Sequence, residues 1–430
     1  MSLTELKAGS LMLPAQELNR IAVRFADTIK FPTVSAQGDF SLAPFHEMRF
    51  FFTETWREVF SSLCMELHGG ASILLRWDGT EPSLKPFMLT AHQDVVPPGD
   101  ADKWSHDPFG GEISENRIWG RGTIDYKCGC AGMLEACSIL LRSGFKPRRT
   151  VFLAFGHDEE VGGQAGAGAI SESLKSRGIF CSSVLDEGGY IYALSNTGDE
   201  AVVAIAEKGY ASIRLVAEAV QGHSSVPSDR TAIGALSRCI VALEQVVFPS
   251  GNIPVEILGS SQLETTLAPT VVSGGCKENV LPGRAWAIVN TRPAPGSSVS
   301  EVFNLVKTTA ELFGITVELI DNGSLSEPSV ISSTETRDFS MIKASVMNSV
   351  KAGTRFSCGV FPAATDSRRY SLVAENAYRF LPVHLGLSGI GALHSVDESI
   401  SVDDYLCCVK FYGEYISRAS EADCFAPGKM

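Results

Sequence analysis

No run of the chain approaches the roughly 20 apolar residues that a membrane-spanning helix needs, no C-x-x-C pair occurs, and basic residues do not outnumber acidic ones. Each absence removes a class of function. The start, Met1-Ser2-Leu3-Thr4-Glu5-Leu6-Lys7, lacks the apolar core of a secretory signal, so neither export nor a membrane partner is expected. Eleven cysteines are an odd number without a repeating framework, and Cys128/Cys130 and Cys407/Cys408 lie too close together for ordinary disulfides. Reduced, mostly buried thiols in a cytoplasmic protein are therefore expected. With 36 basic against 49 acidic residues the formal charge is -13, which argues against nucleic acid or an anionic membrane surface as a partner. No internal repeat and no low-complexity segment is visible.

What the chain does have is length and carboxylates. Its 430 residues, 44% of them apolar, are too many for one ordinary core and enough to fill two or three. Helix-like spacing runs over residues 18–31 and 45–67. The apolar runs Phe87–Ala91, Thr150–Phe155 and Ser183–Leu185 then read as buried parallel strands alternating with helices, a doubly wound, mostly parallel α/β sheet. After Glu207-Lys208-Gly209 the style changes. Residues 211–219, 231–247, 269–274, 285–291, 299–313 and 315–320 read as β-α-β-β-α-β, the ferredoxin-like split unit. Residues 1–207 and 325–430 are thus expected to form a catalytic domain, with residues 208–324 inserted into it as a smaller α+β domain.

Each apolar run delivers acid or histidine where it stops: His92-Gln93-Asp94, His157-Asp158-Glu159-Glu160 and Asp186-Glu187. Asp125 sits in the glycine-punctuated Gly120–Asp125, and His394-Ser395-Val396-Asp397-Glu398 lies near the C-terminus. A cation explains them together, because carboxylates gathered closely need one between them, and zinc takes imidazole nitrogen and carboxylate oxygen. Alternation along an extended segment points His92 and Asp94 the same way, so Asp94 reads as the group orienting the imidazole. Asp125 reads either as a helix N-cap or as a carboxylate bridging two metal ions. Neighbouring residues cannot share a direction, so Glu160 is taken as ligand and Glu159 as general base. Asp186 is a third strand-end carboxylate or a cap to the Gly188-Gly189 turn. His394 has the weaker local context, and His157 lies either beside the base or pointing into the sheet. In the inserted segment, His223 of Gly222-His223-Ser224-Ser225, Asn279 and Arg292 can serve an oxyanion and a substrate carboxylate, or cap and staple loops.

In this order the segments resemble the co-catalytic zinc metallopeptidase family of carboxypeptidase S, glutamate carboxypeptidase, aminoacylase-1 and acetylornithine deacetylase. The likeness runs from about Pro86 to Glu398. The carboxypeptidase S branch, which also holds an N-fatty-acyl amino acid hydrolase/synthase, is the one resembled through Gly120–Asp125, Gly156–Val161, Asp186–Gly189, Glu207–Gly209 and Gly222–Pro227. The resemblance implies two Zn2+ per chain, with cobalt or manganese as substitutes. One ion would be held by His92 and Asp186, the other by Glu160 and His394, with Asp125 bridging. It further implies Glu159 as base, Asp94 orienting His92, and His223, Asn279 and Arg292 as substrate groups. These last lie on a domain without metal ligands, so domain closure or a partner subunit is expected to complete the site, and a homodimer is implied. One departure is Tyr126, where the branch carries a second Asp, at a junction that is often cis in the family.

The expected activity is zinc-dependent hydrolysis of an amide or peptide bond beside a free carboxylate, by a carboxypeptidase or dipeptidase. An N-acyl amino acid amidohydrolase is the near alternative, since both substrates present an acylated amine next to a carboxylate. A catalytically inactive binding protein on the same fold is the third reading. Retention of five ligand candidates together with Glu159 speaks against it.

Overall fold

Every residue of the strands Phe87–His92, Val151–Gly156 and Val184–Asp186 is buried. Burial on both faces is what parallel strands with helices on either side require. The computed structural model describes residues 6–8, 11–38, 40–194, 198–248, 264–321, 325–385 and 393–421. The chain divides into one unit of Met1–Ile205, Ser332–Cys358 and Thr365–Met430, and another of Ala206–Ile331 with Gly359–Ala364.

In the first unit, Phe87–His92 lies between Val151–Gly156 and Val184–Asp186 and is parallel to both, and Ala377–Arg379 continues the parallel set beyond Val184–Asp186. Antiparallel strands flank this centre, among them Ser72–Trp77 and Cys64–His68. Side chains alternate across it. Met88, Phe152 and Ala154 pack with Ala167, Ile170 and Leu174 of the helix Ala167–Ser176. Phe87 points the other way, its ring centroid 5.6 Å from that of Tyr415 on the helix Val402–Glu421. The helix Lys127–Arg142 packs against that long helix and is buried from Lys127 to Leu140. The strands thus end together, with His92 paired to Gly156 and Asp186 to Arg379. Open α/β sheets bind their ligands at such ends.

The helical spacing over 45–67 resolves into Ala43–Thr55 and Arg57–Ser62, and its last residues form the strand Cys64–His68 instead. The cause is the turn that follows. Gly69 and Gly70 have φ of 56° and 93°, which suits a tight hairpin into Ser72–Trp77.

The second unit is β-α-β-β-α-β as expected. Its antiparallel sheet runs in the order Thr266–Gly274, Arg284–Arg292, Ala211–Glu218, Thr316–Ile320. Ile213, Leu215 and Ala217 alternate inward with Ala285, Ala287 and Val289 onto the helices Ala232–Glu244 and Val299–Glu311. Both helices start where the sequence offers a cap. Thr231 accepts from the Gly234 N–H, and Ser298 forms a reciprocal capping box with Glu301.

Candidate metal centre

His92 ends its strand with the ring buried. Its Nδ1 donates to the Asp94 carbonyl at 2.9 Å, while the Asp94 carboxylate stands further off at 3.5 Å. That bond fixes the tautomer and turns Nε2 towards Asp125 Oδ1, 2.9 Å away. The other Asp125 oxygen meets His394 Nε2, also at 2.9 Å, and His394 Nε2 lies 3.4 Å from Glu160 Oε2. Asp125 thus stands between two imidazoles. The Asp125–Tyr126 peptide is cis. The Tyr126 phenol, where the family branch carries a second Asp, is buried and shares a 2.7 Å hydrogen bond with Tyr412.

The Asp94 carboxylate holds the next segment. Its two oxygens accept from the backbone N–H groups of Glu159 and Glu160, each at 3.0 Å, and Ser35 Oγ donates to it at 2.6 Å. This residue therefore sets the turn that carries the proposed base and ligand, and reaches His92 chiefly through its own carbonyl. Asp186 accepts from the backbone N–H of Glu187 at 2.9 Å and of Ser367 at 2.8 Å. Its neighbour Glu187 instead extends to 3.2 Å from His92 Nε2. His157 turns away, with Nδ1 2.6 Å from Ser72 Oγ and its ring against Phe40 and Phe45.

Packing so many carboxylates together shifts their protons. Burial pushes Glu160 up to about 7, with the Asp125 charge adding to it. Burial also raises Glu159 and Glu187 well above the usual carboxylate range, reinforced for Glu159 by Glu160 and Glu187 and for Glu187 by Asp125. Hydrogen bonds that His394 donates to Asp125 and Glu160 raise it to about 10. Burial alone would depress His92, but Asp125, Asp94 and Glu187 outweigh it and hold it well above the ordinary imidazole value. A bound cation would answer the same crowding of negative charge.

The donors suit one. Ligand atoms of His92, Asp125 and Glu160 all lie within 4.8 Å of one another, a crowding of nitrogen and carboxylate oxygen that a metal centre would relieve. Glu160 Oε1 is buried with no hydrogen-bond partner among the described residues. Nitrogen and carboxylate oxygen, with no thiolate, is the donor set of a hydrolytic zinc-type site.

The other sequence-derived candidates belong to the second unit. His223 pairs with Val280 in a two-residue strand, and Ser224 N–H donates to the Asn279 carbonyl at 3.1 Å. Because Ser225 N–H donates to His223 Nδ1 at 3.2 Å, that nitrogen is the acceptor, and the neutral ring of this exposed residue carries its proton on Nε2. The Arg292 guanidinium stacks 4.7 Å from the Tyr210 ring centroid. Burial lowers the nearby Lys208 to about 8, the Arg292 charge helping.

Two residues had no role in the sequence reading. Glu187 carried a signal, being half of the quoted Asp-Glu pair. Asp366 carried none: it is 2% exposed, its oxygens have no hydrogen-bond partner among the described residues, and burial with the Glu159 and Asp186 charges raises its pKa well above the usual range. A Cβ on Gly156 or Gly163 would come within 2.5 or 2.1 Å of those oxygens, so a side chain at either place would push the Asp366 carboxyl aside.

Fold and site together define a metallohydrolase. The chain belongs to Peptidase family M20/M25/M40, whose profile matches residues 88–418. It is 32% identical to a probable carboxypeptidase S-like protein of Dictyostelium discoideum, over 93% of this chain and 85% of that one. It is 31% identical to an N-fatty-acyl-amino acid synthase/hydrolase of Xenopus tropicalis, over 96% and 88%. The crystal structure of an M20 family metallo-carboxypeptidase from Sulfolobus solfataricus superposes with a TM-score of 0.71 at 19% identity, covering 93% of this chain and 99% of that one. This last likeness is one of fold.

Proposed function

We propose that the protein is a zinc-dependent carboxypeptidase or dipeptidase that cleaves an amide bond beside a free carboxylate, with two metal ions that His92, Asp125, Glu160, Asp186 and His394 would hold. The observation that carries this reading is the placement of Asp125 between His92 and His394, with Glu160 closing the ligand set and Glu159 next to it. An N-acyl amino acid substrate is the second reading, favoured by the relatives named as N-fatty-acyl-amino acid synthase/hydrolases. Asp186 is assigned as a further ligand, and Glu187, already directed at His92, is a competitor for that place.

When bound, the ions supply Lewis acidity and make a water acidic near neutral pH. The chain's own groups do the rest. Burial leaves Glu159 a strong proton acceptor, and it takes the proton of the attacking water. The same carboxyl then delivers that proton to the leaving nitrogen. Asp94 fixes the backbone of both glutamates, so base and ligand keep their spacing through the cycle. His223, protonated on Nε2, is assigned to the developing oxyanion, with Asn279 beside it, and Arg292 to the substrate carboxylate.

A homodimer is proposed from the edge strand Thr266–Gly274, whose Val271 and Val272 are 43% and 71% exposed. A cytoplasmic location is proposed because the ten described cysteines are free thiols. No described helix is long and apolar enough to cross a membrane. The deciding experiment is a screen of dipeptides and N-acyl amino acids against the purified protein, with chelator and then with zinc, cobalt or manganese. Activity lost to chelator and restored by metal is expected. Full activity in chelator, with no bound metal on elemental analysis, overturns the reading.

A further inference from the structure

Glu398 lies four residues beyond His394 and is 3% exposed. A carboxylate so buried needs donors on every side. It finds them in the loop that presents Asp125. Oε1 accepts from the backbone N–H of Ile124 at 2.8 Å and of Asp125 itself at 3.2 Å, with Thr123 Oγ1 at 3.5 Å. Oε2 accepts from the Gly122 N–H at 3.0 Å and from Arg121 Nη1 at 2.7 Å. The Glu398 carbonyl takes the Gly120 N–H at 2.9 Å, and Arg121 Nη2 donates to the His394 carbonyl at 3.0 Å. The guanidinium is held from another side by the Trp104 ring, 5.3 Å away.

These bonds close a ring. The backbone of His394 leads through Glu398 to the backbone of Asp125, and the side chains of Asp125 and His394 meet again at 2.9 Å. We propose that Glu398 is a positioning residue for the bridging carboxylate, setting where Asp125 stands relative to both imidazoles. The proposal rests on the metal-site reading above. A bridge must hold two ions about 3.5–4 Å apart, so its backbone tolerates little displacement. An acceptor-only group suits the place, because three backbone N–H groups and a guanidinium converge on its two oxygens. A carboxamide would turn an NH2 onto donors and leave them unsatisfied.

The test is cobalt(II) titration of chelator-treated wild type and Glu398→Gln, followed by visible absorption of the cobalt centre and by circular dichroism of the metal-free proteins. Glu398→Gln is expected to keep its circular dichroism, to bind cobalt about 10–100-fold more weakly, and to show a shifted cobalt spectrum. In the zinc-loaded enzyme kcat should fall with little change in KM. Wild-type cobalt affinity and spectrum in Glu398→Gln overturn the proposal and leave the metal site standing. A wild-type protein that takes up no cobalt overturns both. Were Glu398→Gln to lose its fold, Glu398→Asp is read in the same two assays, and wild-type behaviour there overturns the proposal equally.

Discussion

Glu159 and Glu160 share a peptide bond and one anchoring carboxylate, that of Asp94, yet meet different neighbours. Glu160 reaches towards His394, whereas Glu159, its carboxyl raised first by burial, feels the charges of His92 and Arg368. Loss of a general base lowers turnover by about 10²–10⁴-fold. Glu159→Gln is therefore expected to lower kcat by that much while metal content stays at the wild-type level, and Glu160→Gln to lower both. Parallel kcat and elemental measurements check the pair, and wild-type turnover in Glu159→Gln would show the base misassigned. At this scale the sequence drew attention to polar residues that follow an apolar run, and the structure brings two of them, His92 and Glu160, close to Asp125. It was unreadable where the partner is remote. Nothing near Asp366 in sequence announces Gly156 or Gly163, and no local pattern tells which of Asp186 and Glu187 turns towards His92.

Among the elements, those with a strong period were found nearly to the residue. Arg284–Arg292 alternates cleanly, Ala211–Glu218 is buried except at Arg214 and Glu218, and Val299–Glu311 announces itself with Ser298 and Glu301. Several elements went unread, including the ten-residue strand Gly198–Glu207 and the helices Arg337–Ser349 and Val402–Glu421. Cys64–His68 was hidden inside a helical spacing, and the three-residue strand Ala377–Arg379 is too brief to show a period. The strand Thr266–Gly274 bears on assembly because it lies at a sheet edge with apolar side chains exposed. Natural proteins discourage pairing at such an edge with lysine. Val272→Lys is accordingly expected to shift a dimer towards monomer at micromolar concentration, read by light scattering behind a sizing column. A monomeric wild type in the same measurement would remove the homodimer altogether.

Over the whole molecule, stability, metal and pH are linked. His394 rises to about 10 in the metal-free fold, above an ordinary 6.5, so its proton stabilises fully below about 6.5 and that gain is lost as pH climbs through 10. Glu160, raised from 4.5 to about 7, has the same sign: its proton stabilises below about 4.5, and the gain is lost as pH rises through 7. The metal-free protein should therefore weaken as pH rises. Ligand atoms must be deprotonated to bind a cation, so the metal-bound form moves the other way. The gap in Tm between metal-replete and chelated protein is expected to widen from about pH 6 to about pH 9. A gap that does not change with pH would mean that neither group gives up a proton to the metal.

The unit Ala206–Ile331 is nearly contiguous, whereas the other is assembled from both ends of the chain. On a ribosome the first can complete its four-stranded sheet once Ile320 has emerged. The unit assembled from both ends must wait for Ala377–Arg379, and the proposed metal site for His394, the last imidazole to be made. On the proposed assignment of ligands, capture of a cation would be a late event in the life of the chain. A product cut short before His394 would carry most of the carboxylates but lack both the second imidazole that meets Asp125 and the helix Val402–Glu421 that covers the sheet.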